Sequence, residues 1–178
     1  VDATATTAVA GSDQAICDLP IATLAGNTPS VGNGLWSLVT GSASITNPTS
    51  PASGLTGLLV GTATLRWTIT NGTCSSFDEV DIVVNPLPNV TISGNLTICD
   101  GDSSTLSASG ANAYAWNSGP STATITAKPT TTTSYTVNGT DLNSCTNSAV
   151  VTVTVTALPN VVISGSCLLY TSDAADDP

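Results

Sequence analysis

Histidine and methionine are absent from the 178-residue sequence, and only Arg66 and Lys128 carry positive charge. Without histidine there is no Ser-His-Asp triad, no Cys-His dyad and no zinc-hydrolase helix. Two scattered cations cannot displace the counterions of a phosphate backbone, so nucleic acid is not an expected partner. Anionic membrane surfaces are disfavoured for the same reason. No apolar run approaches the roughly 20 residues of a spanning helix, and membrane insertion is not expected. Charged residues make up 8% of the chain, where about 25% is usual. The N-terminus lacks the basic and apolar regions of a signal peptide, so the sequence reads as mature or internal. With carboxylates as the remaining acid/base candidates, neither an enzyme nor a cofactor is expected.

What fills the chain is Thr, Ser, Ala, Gly and Val, a composition too rich in β-branched residues for disorder. Leu87-Pro-Asn-Val-Thr-Ile-Ser-Gly94 returns as Leu158-Pro-Asn-Val-Val-Ile-Ser-Gly165, with seven of eight positions identical at an offset of 71. That offset is the length of one small domain. It divides the chain into units at 1–85 and 86–157, with a third begun at 158–166. The proline-bearing joints at Asn85-Pro-Leu-Pro88 and Ala157-Leu-Pro159 are stiffer than Gly/Ser hinges. Residues 167–178, from Cys167 to Pro178, break the style of the rest. They match the conceptual translation of a transposase adapter used in preparing DNA sequencing libraries, and are expected to be non-native.

Within each unit the hydrophobic period is two. Leu65, Trp67 and Ile69 alternate with Thr64, Arg66 and Thr68, and Val80, Ile82 and Val84 alternate with Glu79, Asp81 and Val83. Ala149, Val151, Val153 and Val155 repeat the pattern in the second unit. Such alternation puts one face on a core and the other in water. Asn33-Gly34, Asn71-Gly72 and Asn138-Gly139 read as turns. The fold class expected is all-β: two tandem immunoglobulin-like β-sandwiches with Greek-key antiparallel sheets. Trp36 and Trp116 fall at the third-strand position, and Trp67 and Tyr135 match each other in the penultimate strand. These aromatics suit either a sugar-stacking platform or a sandwich core, where a third-strand Trp is expected.

Cys17 and Cys99 lie early in their units, while Cys74 and Cys145 precede the last strand. This regular placement predicts the pairs Cys17–Cys74 and Cys99–Cys145. A zinc site would want CxxC or histidine spacing, which the sequence does not offer. Disulfides imply an oxidising compartment, so the protein is expected at the cell surface or beyond it. Asp78, Glu79 and Asp81 could serve glycoside hydrolysis or protect a strand edge. Asp100-Gly-Asp102 could contribute to a calcium site or simply form a polar turn. Asn71, Asn89, Asn95 and Asn138 each head an N-x-Thr sequon and are candidate glycosylation sites.

The segments Ala10-Gly-Ser-Asp-Gln-Ala-Ile-Cys17, Gly34-Leu-Trp-Ser, Asn47-Pro-Thr-Ser-Pro51 and Leu65-Arg-Trp-Thr-Ile-Thr-Asn-Gly-Thr-Cys74 resemble PKD-like/Ig-like tandem repeats of Bacteroidota-type secreted surface proteins. The second unit is similar to a companion Ig-like repeat through Ile98-Cys, Ser104-Thr-Leu-Ser-Ala-Ser-Gly110, Tyr114-Ala-Trp116 and Pro129-Thr-Thr-Thr-Thr-Ser-Tyr-Thr-Val137. The resemblance covers about residues 8–166. It implies export, arrays of many repeats, and roles in adhesion, gliding or spacing, with no catalytic motif. The expected function is a structural or adhesive module of an extracellular rod or fibre, whose partners are neighbouring repeats or copies of itself. Self-assembly by strand addition would use Ala3, Ala5, Thr7 and Val9 of the alternating N-terminal stretch. The alternative for that stretch is the first strand of its own domain, or a linker from a preceding one. The alternative function is a carbohydrate-binding accessory module of a secreted enzyme, with a polysaccharide or surface ligand as partner.

Overall fold

The computed structural model describes residues 3–162 and 164. The sequence's strongest two-residue period lies in residues 61–85, and these form its longest hairpin. β6 (Gly61–Asn71) and β7 (Cys74–Asn85) pair antiparallel from Gly61↔Val84 to Asn71↔Cys74. Gly72 closes the turn at φ 58°, where a residue without Cβ is unstrained. Leu65, Trp67, Ile69 and Ile82 all point inward and are fully buried. The edge strand β3 (Asn33–Thr40) pairs with β6, and β1 (Gln14–Cys17) lies parallel to the far end of β7. The sheet order is therefore β1-β7-β6-β3. Three short strands, β2 (Ala22–Thr23), β4 (Ser44–Ile45) and β5 (Gly54–Thr56), make the opposing sheet β2-β5-β4. Leu24 and Leu55 enter the same core from that side.

The second sandwich repeats this plan. β13 (Thr133–Thr140) and β14 (Thr146–Thr156) form the long hairpin, flanked by β11 (Ala113–Trp116) and, in parallel, by β9 (Thr97–Cys99). The order β11-β13-β14-β9 is the first sheet read backwards. β8 (Thr91–Ser93), β10 (Ser104–Ser109) and β12 (Thr124–Ala127) complete the opposing sheet. Its core centres on Leu106, Val137 and Val153, each fully buried. The two cores share no residue. The described residues form two all-β sandwiches and contain no helix.

Two of the three expected Asn-Gly turns lie instead within strands. Asn33-Gly34 opens β3, and Asn138-Gly139 sits inside β13 in register with both neighbours. In both, glycine is used for its missing Cβ. Residues 158–162 and 164 of the expected third unit carry no strand, and the rest of that unit and the 167–178 tail lie outside the described residues.

Candidate functional site: a disulfide junction between the sandwiches

The parallel pairing of β1 with β7 ends at Cys17↔Asn85, bringing Cys17 to the pole where the chain leaves the first sandwich. Asp18 then turns the chain away in the left-handed region (φ 39°), its N–H donating to the Asn85 carbonyl at 2.9 Å. Aspartate is among the few side chains that tolerate that region. On the other side, residues 141–145 close the β13–β14 hairpin. Asp141 Oδ1 accepts from the backbone N–H groups of Asn143 and Cys145, both at 2.8 Å. The Asp141 N–H donates to the Cys145 carbonyl at 3.0 Å, and Ser144 takes φ 65°. The loop thus fixes Cys145, which is fully buried. Its sulfur is bonded to that of Cys17, with a Cα–Cα distance of 5.5 Å across 128 residues of sequence.

The peptide linker is fastened to the same pole. Asn147 Nδ2 donates to the Pro88 carbonyl at 3.0 Å, and the Val90 N–H donates to that carbonyl at 3.1 Å. Val90 seats over Gly139, where a Cβ would come within 2.5 Å of Val90 Cγ2. A Cβ on Gly110 (φ +93°) would lie 1.9 Å from the Asn89 carbonyl oxygen. The sandwiches are therefore joined twice, by the chain after Asn85 and by the disulfide at its ladder partner Cys17. The second bond removes the free swivel that a single linker permits. Asn147 and Asp141 were not singled out from the sequence, and Gly139 was read there as a turn. The recurrence of Ile16-Cys17-Asp18 as Ile98-Cys99-Asp100 is the signal that marks this pole.

The observed bond corrects the predicted pairs Cys17–Cys74 and Cys99–Cys145. Cys74 is the first residue of β7, whereas Cys17 pairs with the last. At about 3.3 Å per residue the two lie about 36 Å apart, and a disulfide needs Cα atoms within about 7 Å. Likewise Cys99 aligns with Thr156 at the far end of β14, while Cys145 precedes its start. Cys74 and Cys99 are free thiols, half-buried and exposed respectively.

The N-terminal stretch is laced to its own sandwich. The Ala3 carbonyl accepts from Asn71 Nδ2 at 2.6 Å, the Thr7 carbonyl from Asn27 Nδ2, and Asn27 Oδ1 accepts from the Val9 N–H. Ala5 packs against the core, Ala8 and Ala10 are buried in it, and Thr7 and Val9 face outward. The acidic cluster explains part of this. Asp78 Oδ2 accepts from the Ala10 N–H at 2.8 Å, and Ser76 Oγ from the Ala8 N–H. Glu79 is paired with Arg66 at 2.6 Å, and Asp81 Oδ1 accepts from Thr64 Oγ1. β1 covers β7 only at Ile82–Asn85, and beside Asp78 that side of β7 is covered by the N-terminal segment, which Asp78 fastens in place. They are engaged in separate contacts and do not flank a cleft.

Trp36 and Trp67 pack in the first core with ring centroids 5.0 Å apart, and Trp116 and Tyr135 are buried in the second. Phe77 is the one exposed aromatic among the described residues, and the Arg66 guanidinium sits 4.4 Å above its ring. Asp100 and Asp102 flank Gly101 in a turn closed by the Asp102 N–H on the Cys99 carbonyl. Asn89, Asn95 and Asn138 are exposed, while the Asn71 amide is engaged by Ala3.

No family model matches the chain, and no curated protein matches it. Solved structures similar to it are PKD, fibronectin-III-like and immunoglobulin domains. A PKD domain from the KIAA 1837 protein is 24% identical over 47% of this chain and 90% of its own, with a TM-score of 0.41. The fibronectin(III)-like modules of Clostridium thermocellum CbhA are 11% identical over 89% of this chain and 100% of theirs, at 0.43. The insect immune protein hemolin is 12% identical over 86% of this chain and 47% of its own, at 0.45.

Proposed function

We propose that this chain is a structural module of an extracellular rod or fibre on a bacterial surface, built from end-to-end sandwiches and used for spacing or adhesion. The observation that carries this reading is the Cys17–Cys145 bond between two otherwise separate cores. A disulfide placed there locks one unit's pole to the next, which is what a load-bearing or reach-extending array requires. It also suits an oxidising compartment. The carboxylates clustered on β7 are held in structural contacts and the three tryptophans are buried, so neither a catalytic pair there nor an aromatic sugar platform supports the enzymatic or polysaccharide-binding readings. Membership of the Bacteroidota-type repeat group belongs to the same proposal and rests on the sequence resemblance alone.

Assembly by strand addition would require residues 3–10 to leave their own core, so the poles are the better candidates for contact between units. Small-angle scattering of the oxidised, full-length chain tests the rod. The expected particle is elongated, about 70 Å long for two sandwiches of about 35 Å each at 3.3 Å per strand residue. A compact particle with the sandwiches folded side by side would overturn the reading.

A further inference from the structure

Each half of the observed junction recurs at the opposite pole of the neighbouring unit, unbonded. At the exit pole of the first sandwich Cys17 pairs with Asn85, and the Asp18 N–H donates to the Asn85 carbonyl at 2.9 Å. At the exit pole of the second, Cys99 pairs with Thr156, and the Asp100 N–H donates to the Thr156 carbonyl at 2.9 Å. Beyond each lies the same linker, Leu87-Pro-Asn-Val90 and Leu158-Pro-Asn-Val161. Val90 is covered by the following unit and 8% exposed, whereas its counterpart Val161 is 77% exposed.

The other half recurs too. Cys145 sits at the hairpin joining the last two strands of its unit, and Cys74 sits at the equivalent hairpin of the first. Asn147 beside Cys145 holds the Pro88 carbonyl of the incoming linker, and Asn71 beside Cys74 holds the Ala3 carbonyl of the incoming chain. One two-unit body thus presents a Cys145-type thiol at one end and a Cys17-type thiol at the other.

We propose that Cys74 and Cys99 are complementary halves of further junction disulfides, each bonding the opposite cysteine of another sandwich unit of this kind. This rests on the rod reading and deepens it by naming the partner and the bond. Formation of each bond removes two protons and two electrons from a thiol pair. A small-molecule disulfide accepts the electrons: one thiolate attacks it, and the complementary thiolate then displaces the leaving thiol from the mixed disulfide.

The probe is the chain itself at high concentration in a glutathione redox buffer, with Cys167→Ser in every sample so that only two thiols are followed. Cys74→Ser retains Cys99, and Cys99→Ser retains Cys74. The expected result is that neither variant alone forms more than traces of covalent dimer. An equimolar mixture gives a dimer at least ten times faster, and peptide mapping identifies its bond as Cys74–Cys99. Equal dimerisation of each variant alone and of the mixture would overturn the proposal, as would glutathionylated monomers with no protein–protein disulfide. Scattering from the monomer is a separate readout, so a compact particle would count against the rod and unpaired thiols against this bond.

Discussion

The indole of Trp67 occupies the space where a side chain at position 34 would begin. A Cβ built on Gly34 would lie 2.0 Å from Trp67 Cζ2, although β3 and β6 pair there in regular register. Gly34 is thus a strand residue chosen for absence of volume, and it lets the fully buried ring pack against β3. Gly34→Ala must displace either the ring or the strand. Overpacking of this kind costs about 1–3 kcal/mol, so thermal unfolding of the first sandwich should move down by on the order of 10 °C. An unchanged midpoint would show that the ring has room to move.

Asp78→Ala removes the acceptor for the buried Ala10 N–H. An unsatisfied buried donor costs about 1–3 kcal/mol. Hydrogen exchange should accelerate at Ala8 and Ala10, with the second sandwich unaffected. If the N-terminal segment is held by its apolar contacts alone, the exchange rates will not change.

Cys17→Ser opens the loop that the disulfide closes. If only one sandwich unfolds, the closed segment is on the order of 60–70 residues, and the chain-entropy model assigns it about 4 kcal/mol. Both sandwiches should therefore melt earlier in calorimetry, because each is the unfolded arm of the same closed loop. A shift confined to one of them would contradict that coupling.

Asn147→Ala leaves the Pro88 carbonyl with a single donor. The expected cost is about 1 kcal/mol, seen as wider relative motion of the sandwiches in residual dipolar couplings. Global unfolding should barely move. Gly139→Ala, which would press on Val90 and Ala111 at 2.5 and 2.7 Å, should disturb the same seat more strongly.

Much of the fold was legible because period-two alternation is a local property. The inward sets Leu65/Trp67/Ile69 and Val80/Ile82/Val84 could be read directly, as could a core position for Trp36 and Trp116. The junction was not legible. Cysteines placed regularly, one early and one late in each unit, fit pairing within a unit and pairing between units equally well. What decides is the parallel alignment of β1 with the far end of β7, a long-range contact that leaves no periodic trace. Asn-Gly was ambiguous for a related reason: a missing Cβ serves a turn and a close approach alike, and only the neighbour, Trp67 or Val90, says which.

The most direct test of the account is non-reducing peptide mapping of the oxidised chain by mass spectrometry. The predicted result is a disulfide-linked peptide joining Cys17 to Cys145, with Cys74 and Cys99 recovered as thiols or in bonds between units. Peptides joining Cys17 to Cys74 and Cys99 to Cys145 would contradict it, and with it the covalent joint on which the rod depends.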